Sequence, residues 1–143
     1  MRMLVSEVLY KVEQAKTESE KINLLRVNYS PALEDTLRWA YDPNILFFTK
    51  TIPPYTPDLS PEGLAYTSLY SEHKRFYIFL RDYKLAEERK TVLLIQMLEA
   101  LGKTESKILE NIILKNIPEV SKDLACKAYP NFLNKPIKIP MEA

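Results

Sequence analysis

"SPALEDTLRWAYDPNILFFT" (residues 30–49) is the stretch on which the fold turns. Ser30 followed by Pro31 is a helix-start signal: the hydroxyl can accept from a free backbone N–H, and proline loses nothing at the first helical position. Leu33, Leu37, Ala40 and Tyr41 then share one helical face. Asp42 ends the helix, because a residue before proline is pushed out of helical geometry. Phe47 and Phe48 follow in an aromatic, proline-marked turn.

The same grammar extends in both directions. Leu4, Val8 and Val12 repeat every four residues, with Val5 and Leu9 beside them, and make one apolar stripe on a first helix. Thr17 stands three residues before Glu20, the spacing of a capping box, so a second helix starts there with Ile22 and Leu25 turned inward. Pro53, Pro54 and Pro57 predict an extended surface loop from Lys50 to Ser60. Residues 64–84 read as a helix with Leu69, Phe76, Tyr77 and Leu80 in the core. Residues 86–102 read as the clearest helix, with Leu94, Leu98 and Leu101 on one face and Gly102 as a left-handed cap. Thr104 is expected to cap the next helix, which buries Ile108, Leu109, Ile112 and Ile113 and stops by Pro118. Ser121 opens a short last helix to Tyr129.

Only Gly63 and Gly102 are glycine, and none of the ten prolines falls between Pro61 and Pro118. No strand-like alternation and no internal repeat is present. The expected class is all-α: a single compact orthogonal bundle of about seven helices, with residues 1–133 as the helical domain and 134–143 as a proline-rich tail.

At 143 residues, 46% hydrophobic and 27% charged, the chain has the composition of one globular domain. Its net charge of +1 announces no polyanionic ligand, so a basic footprint has to be local. Cys126 is the only cysteine, which excludes an internal disulfide framework. Ser6 and Glu7 interrupt the first apolar run before it could form a signal-peptide core, and "NILFF" and "VLLI" fall far short of the roughly 20 residues that span a bilayer. The expected location is the cytoplasm, with no membrane association.

Catalytic groupings do not assemble on paper. His73 is the sole histidine and reads as a surface or partly buried helix residue, so neither a histidine-rich metal sphere nor a Cys–His pair can be complete. Two isolated glycines cannot build a phosphate-cradling loop. Glu18–Glu20 and Glu87–Glu88 sit in predicted first turns, where negative charge complements the helix dipole. No catalytic, cofactor or metal residue is assigned. The basic and aromatic run from His73 to Lys90 is diluted by Glu72, Asp82, Glu87 and Glu88, and reads as a solvated mixed-charge face. Lys115, Lys122, Lys127, Lys135 and Lys138 have fewer acids around them.

"LLRVNYSPALEDTLRWAYDPNILFFTKTIPP" (24–54) resembles the N-terminal, all-helical DNA-binding domain of the ATP-dependent DNA ligases of T-even-type phages. Leu33, Leu37, Tyr41, Asp42, Pro43, Phe47, Phe48, Lys50 and Pro53 carry the match. "SKDLACKAYPNFLNKPIKIPMEA" (121–143) is similar to the ligase segment that leads into the catalytic domain, through Ser121, Ala125, Lys127, Tyr129 and Pro130; residues 55–110 match in pattern only. Small proteins of marine relatives of those phages look similar along their length. The resemblance implies a non-catalytic module in an infected host cell that holds duplex DNA backbone, without reading sequence, through Lys50, Ser121, Lys122 and Lys127. No adenylated Lys-x-Asp-Gly lysine follows, so ligation is not expected of this chain. Where the ligases carry an Arg-Asp signature and a glycine, this chain has Leu114, Lys115 and Glu119. That departure leaves a second expectation: a host or phage protein as partner, engaged through the 50–61 loop or the tail. Tyr41, Phe47 and Phe48 read better as core anchors than as base-stacking residues.

Overall fold

Helix α3 (Pro31–Tyr41) lies at the centre of the chain's packing, and its burial shows why. Ala32, Leu33, Thr36, Leu37, Arg38, Trp39 and Ala40 are all buried, so the helix is enclosed nearly all round rather than along one stripe. In this computed structural model, which describes residues 3–61 and 64–133, α3 packs against four other helical elements. Ser30 accepts from Leu33 N–H at 3.1 Å and Pro31 occupies the first turn, as the sequence predicts.

The N-terminal pair is α1 (Val5–Gln14) and α2 (Glu18–Val27). Val5, Val8, Leu9 and Val12 of α1 are buried. Thr17 caps α2 by accepting from Glu20 N–H at 3.2 Å, while the Glu20 carboxylate takes the Lys16 N–H at 3.3 Å, one residue short of a strict capping box. The chain then runs through α3 and a long segment to α4 (Leu69–Glu72), a 3₁₀ helix (His73–Phe79), α5 (Glu87–Ala100), α6 (Lys103–Ile113) and α7 (Lys122–Ala128). The architecture is all-α with seven α-helices among the described residues, and three isolated bridges are the only β pairings there.

The end of α2 meets the end of α7. Arg26 donates to Ala128 O at 3.2 Å and Lys127 O at 3.0 Å, which satisfies the open carbonyls at the end of α7. The Tyr129 hydroxyl donates to Leu25 O, and its ring meets Tyr29 edge-on. Burial pushes the Tyr129 phenol well above its ordinary value.

Three local expectations need correction. Residues 64–84 do not form one helix: four residues of α4 pass into a 3₁₀ helix, and the chain leaves it extended. Phe47 and Leu80 form an antiparallel bridge there, with Phe48 N–H on Phe79 O at 2.9 Å and Arg81 N–H on Leu46 O at 2.8 Å. The run HKRFYIF is rich in aromatic and β-branched residues of modest helix propensity, and the bridge claims backbone groups that a continuing helix would need. Buried Lys90 locks this exit by donating to Leu80 O at 2.7 Å and Arg81 O at 3.3 Å. Gly102 is not a left-handed cap. It is extended (φ −63°, ψ 157°) and serves as the N-cap of α6, because Leu101 and Gly102 together turn the chain straight from α5 into α6. Thr104 therefore lies inside α6, where its hydroxyl meets Ser6 Oγ at 3.1 Å and ties α6 to α1. The tail, residues 134–143, falls outside the described residues.

A Cβ built on Gly102 would sit 3.5 Å from the Ala65 Cβ, an ordinary contact. Gly102→Ala is expected to change unfolding free energy by less than about 0.5 kcal/mol, the entropy gained in the unfolded chain offsetting the weaker N-cap. A loss well above about 1 kcal/mol in urea unfolding would restore the left-handed cap.

Candidate functional site

The aromatic junction after α3 is held by a residue from the far side of the sequence. Lys115 follows α6 in the left-handed region (φ 63°), the single non-glycine residue with positive φ among those described. That turn sends its Nζ to Trp39 O, Asp42 O and Ile45 O, at 2.8, 2.9 and 3.0 Å. Three ammonium protons thus meet three carbonyls at the frayed end of α3, where intrahelical donors have run out. The ring of Phe47 lies 5.5 Å from the same nitrogen. Tyr41 completes the joint: its hydroxyl lies 2.9 Å from Ile117 O and 2.5 Å from Val120 O, and accepts from Ile117 N–H at 3.1 Å.

Charges around the joint are shifted in ways that fit enclosure. Burial pushes the Lys115 ammonium down to about 8, against the pull of Asp42 and with the help of nearby Lys122. Burial raises the Tyr41 phenol, and Glu119 adds to the effect; burial likewise raises the Glu119 carboxyl. Asp42 accepts from Asn44 N–H at 2.9 Å and has Arg38 Nε at 3.6 Å. Trp39 meets Phe47 and Phe76, and Phe48 meets Phe79, so the aromatic junction packs the core.

The four residues expected to hold DNA come from two parts of the chain, the segment after α3 and helix α7. Lys50 is exposed on the segment after the Phe47–Phe48 pair. Ser121 and Lys122 lie together and exposed at the start of α7, with the Ser121 oxygen accepting from Leu124 N–H at 3.1 Å. Lys122 is near enough to Lys115 to weigh on its protonation. Lys127 is five residues further along α7, roughly 140° around the helix from Lys122, and it is paired with Glu18 at 2.5 Å and Asp123 at 3.3 Å. Those acids raise its pKa.

The basic run 73–90 is also largely committed within the fold. His73 is buried in the 3₁₀ helix, not at the surface of an α-helix, and its Nδ1 lies 2.6 Å from Asp35 Oδ2 on α3. Arg75 pairs with Glu72 and Arg81 with Asp82. Cys126 is half-buried on α7.

Two features have no forerunner in the motif reading. Leu59, Leu64 and Tyr66 are 79%, 71% and 92% exposed within eight residues of chain. Beside them an open cleft of about 360 Å³ runs between the starts of α1 and α6 and the segment 60–71. Its walls bear the hydroxyls of Thr67, Ser68 and Ser71, with Lys103 and Glu105 contributed by α6. The cleft depends on chain crossing, through parallel bridges of Asp58 to Gly102 and Thr67 to Leu101, so no local spacing announces it. Leu59 lies within the 50–61 loop expected to engage a protein partner, whereas Leu64 and Tyr66 read as the start of the 64–84 helix.

Among the described residues no group of three or more His, Cys, Asp or Glu could hold a metal ion, and no helix is long and apolar enough to cross a membrane. Residues 8–119 match the model of a family described as "Family of unknown function (DUF6433)". No curated protein matches the chain.

Lys115→Met leaves three carbonyls without their donor and is expected to cost about 1–3 kcal/mol of stability at neutral pH. The native pKa of about 8 lies below the ordinary lysine value of about 10.4. Between those values the unfolded chain binds more protons, so this group's contribution to stability rises with pH. Denaturant unfolding of wild type and K115M from pH 7 to 10 should show the wild-type curve climbing relative to the variant; parallel curves contradict the assignment.

Proposed function

The chain belongs to the DUF6433 family, and from that premise we propose that it is a non-catalytic docking module whose partner is a protein. The observation that supports this reading is the exposure of Leu59, Leu64 and Tyr66 on one short segment. Large apolar side chains clustered at a surface are costly in water and mark contact sites when they are contiguous. Tyrosine adds a wide, stiff contact face with a polar tip, the chemistry of an interface anchor. The surrounding scaffold suits the role: Thr56 N–H on the Glu99 carboxylate at 2.7 Å and Thr67 N–H on Ala100 O at 3.2 Å hold both ends of the segment to α5. In an infected cell the partner would be a host or phage protein. The paired state of Lys127 and its angular separation from Lys122 weigh against an unbroken basic strip.

Leu64→Ser with Tyr66→Ser should leave the melting temperature unchanged, since both side chains are exposed. The double variant should lose at least about thirtyfold in affinity for a partner identified by crosslinking the wild type in infected cells. A partner that binds both forms equally docks elsewhere.

A second reading, duplex DNA held by its backbone, has its own support in Lys122, which stands at the start of α7 beside Lys115 without an ion pair among the described residues. With Lys50 and Ser121 it forms the part of the ligase-like set that acids leave open. On this reading labelled duplex binds at micromolar protein in low salt and affinity falls steeply as salt rises. Lys122→Ala weakens binding and shallows the salt slope by about one, whereas Lys127→Ala changes little. Absence of binding in low salt ends this reading.

A further inference from the structure

We propose that the cleft between α1, α6 and residues 66–71 binds a neutral polyhydroxylated ring, a sugar of one or two units, against the free hydroxyls of Thr67, Ser68 and Ser71.

The hydroxyls make the first part of the case. Ser68 occupies the N-cap position of α4, where serine ordinarily accepts from a first-turn amide, yet its side chain makes no capping bond. The N3 amide that such a cap would take, Ser71 N–H, lies on the Ser68 carbonyl at 3.0 Å, and the Leu69 N–H is held by the buried Glu105 carboxylate at 3.0 Å. The Ser68 hydroxyl and the neighbouring hydroxyls of Thr67 and Ser71 make no hydrogen bond among the described residues. Three hydroxyl groups, each donor and acceptor, line one wall of the cleft unspent.

Charge narrows the ligand class. Glu105, 1% exposed, stands in the cleft lining with its carboxylate engaged by the Leu69 N–H. Lys103 is exposed in the same lining and opposes a cation. A neutral ligand with paired donors and acceptors can meet the three hydroxyls without bringing a charge of its own out of water. A volume of about 360 Å³ is at the small end of ligand pockets, which suits one or two rings. Tyr66, 92% exposed in the same lining, offers an aromatic face on which the apolar C–H side of a sugar ring can lie. This site shares Tyr66 with the docking segment, but Ser68 and Ser71 are not among the residues assigned to that contact, so the double serine variant tests the cleft alone.

The test is an amide-shift NMR titration of the full chain with D-glucose, D-galactose, D-mannose and N-acetyl-D-glucosamine in turn, and separately with inorganic phosphate. At least one sugar should give saturable shifts at residues 66–71 and 103–105 in the millimolar range. Ser68→Ala with Ser71→Ala should weaken that binding by about tenfold or more with an unchanged melting temperature. Silence at those amides with every sugar overturns the proposal. So does saturable binding of phosphate there without any sugar, and so does a double variant that folds and binds as tightly as wild type.

Discussion

One lysine ammonium meeting three carbonyls is the constraint on which the rest of the molecule depends. Helix α3 is enclosed on nearly every side, so its C-terminal carbonyls lie where water gives little help, and open backbone acceptors in such a place are costly. Lys115 answers three of them at once. The Tyr41 hydroxyl ties the same end of α3 to the backbone of 117–120. With both in place the chain can leave α3 through Phe47 and Phe48, and those rings can close over Trp39 and Phe79. The left-handed turn at Lys115 costs roughly 1–2 kcal/mol in a non-glycine residue, and the bonds made by its own side chain offset that strain.

Much of this fold is legible in single residues. Ser30, Thr17 and Ser121 cap α3, α2 and α7 as their types and spacing require, because a cap is a local contest between a side-chain oxygen and one free amide. The reading fails where a distant partner decides the outcome. Residues 64–84 look helical by composition, but the bridge to Phe47 and the Lys90 side chain redirect the backbone after Phe79. Gly102 looks like a stop, yet the two extended residues at 101 and 102 start the next helix, and the left-handed residue is a lysine. Nothing short-range marks Lys115 as that residue, because its stabilising contacts lie 70 to 76 positions away.

The candidate site shows the same division. Lys50, Lys122 and Lys127 are at the surface, but Lys127 is joined to Glu18, 109 positions earlier, and no spacing rule could foresee that pairing. Lys115, noted as a departure from the ligase pattern, is a structural bolt rather than an open binding group. The cleft and the exposed apolar segment arise from chain crossings between residues 58–67 and the α5–α6 corner. Both are properties of topology more than of motif.

The meeting of α2 with the end of α7 has a consequence for how the protein is made. The Arg26 guanidinium and the Leu25 carbonyl find partners on residues 127–129, so these contacts of the N-terminal hairpin stay unmade until α7 has been synthesised. Local pairing of α1 with α2 can begin during synthesis. Sealing of the body must wait for α7, and it closes a loop spanning 102 positions, a long-range contact of the kind that slows folding.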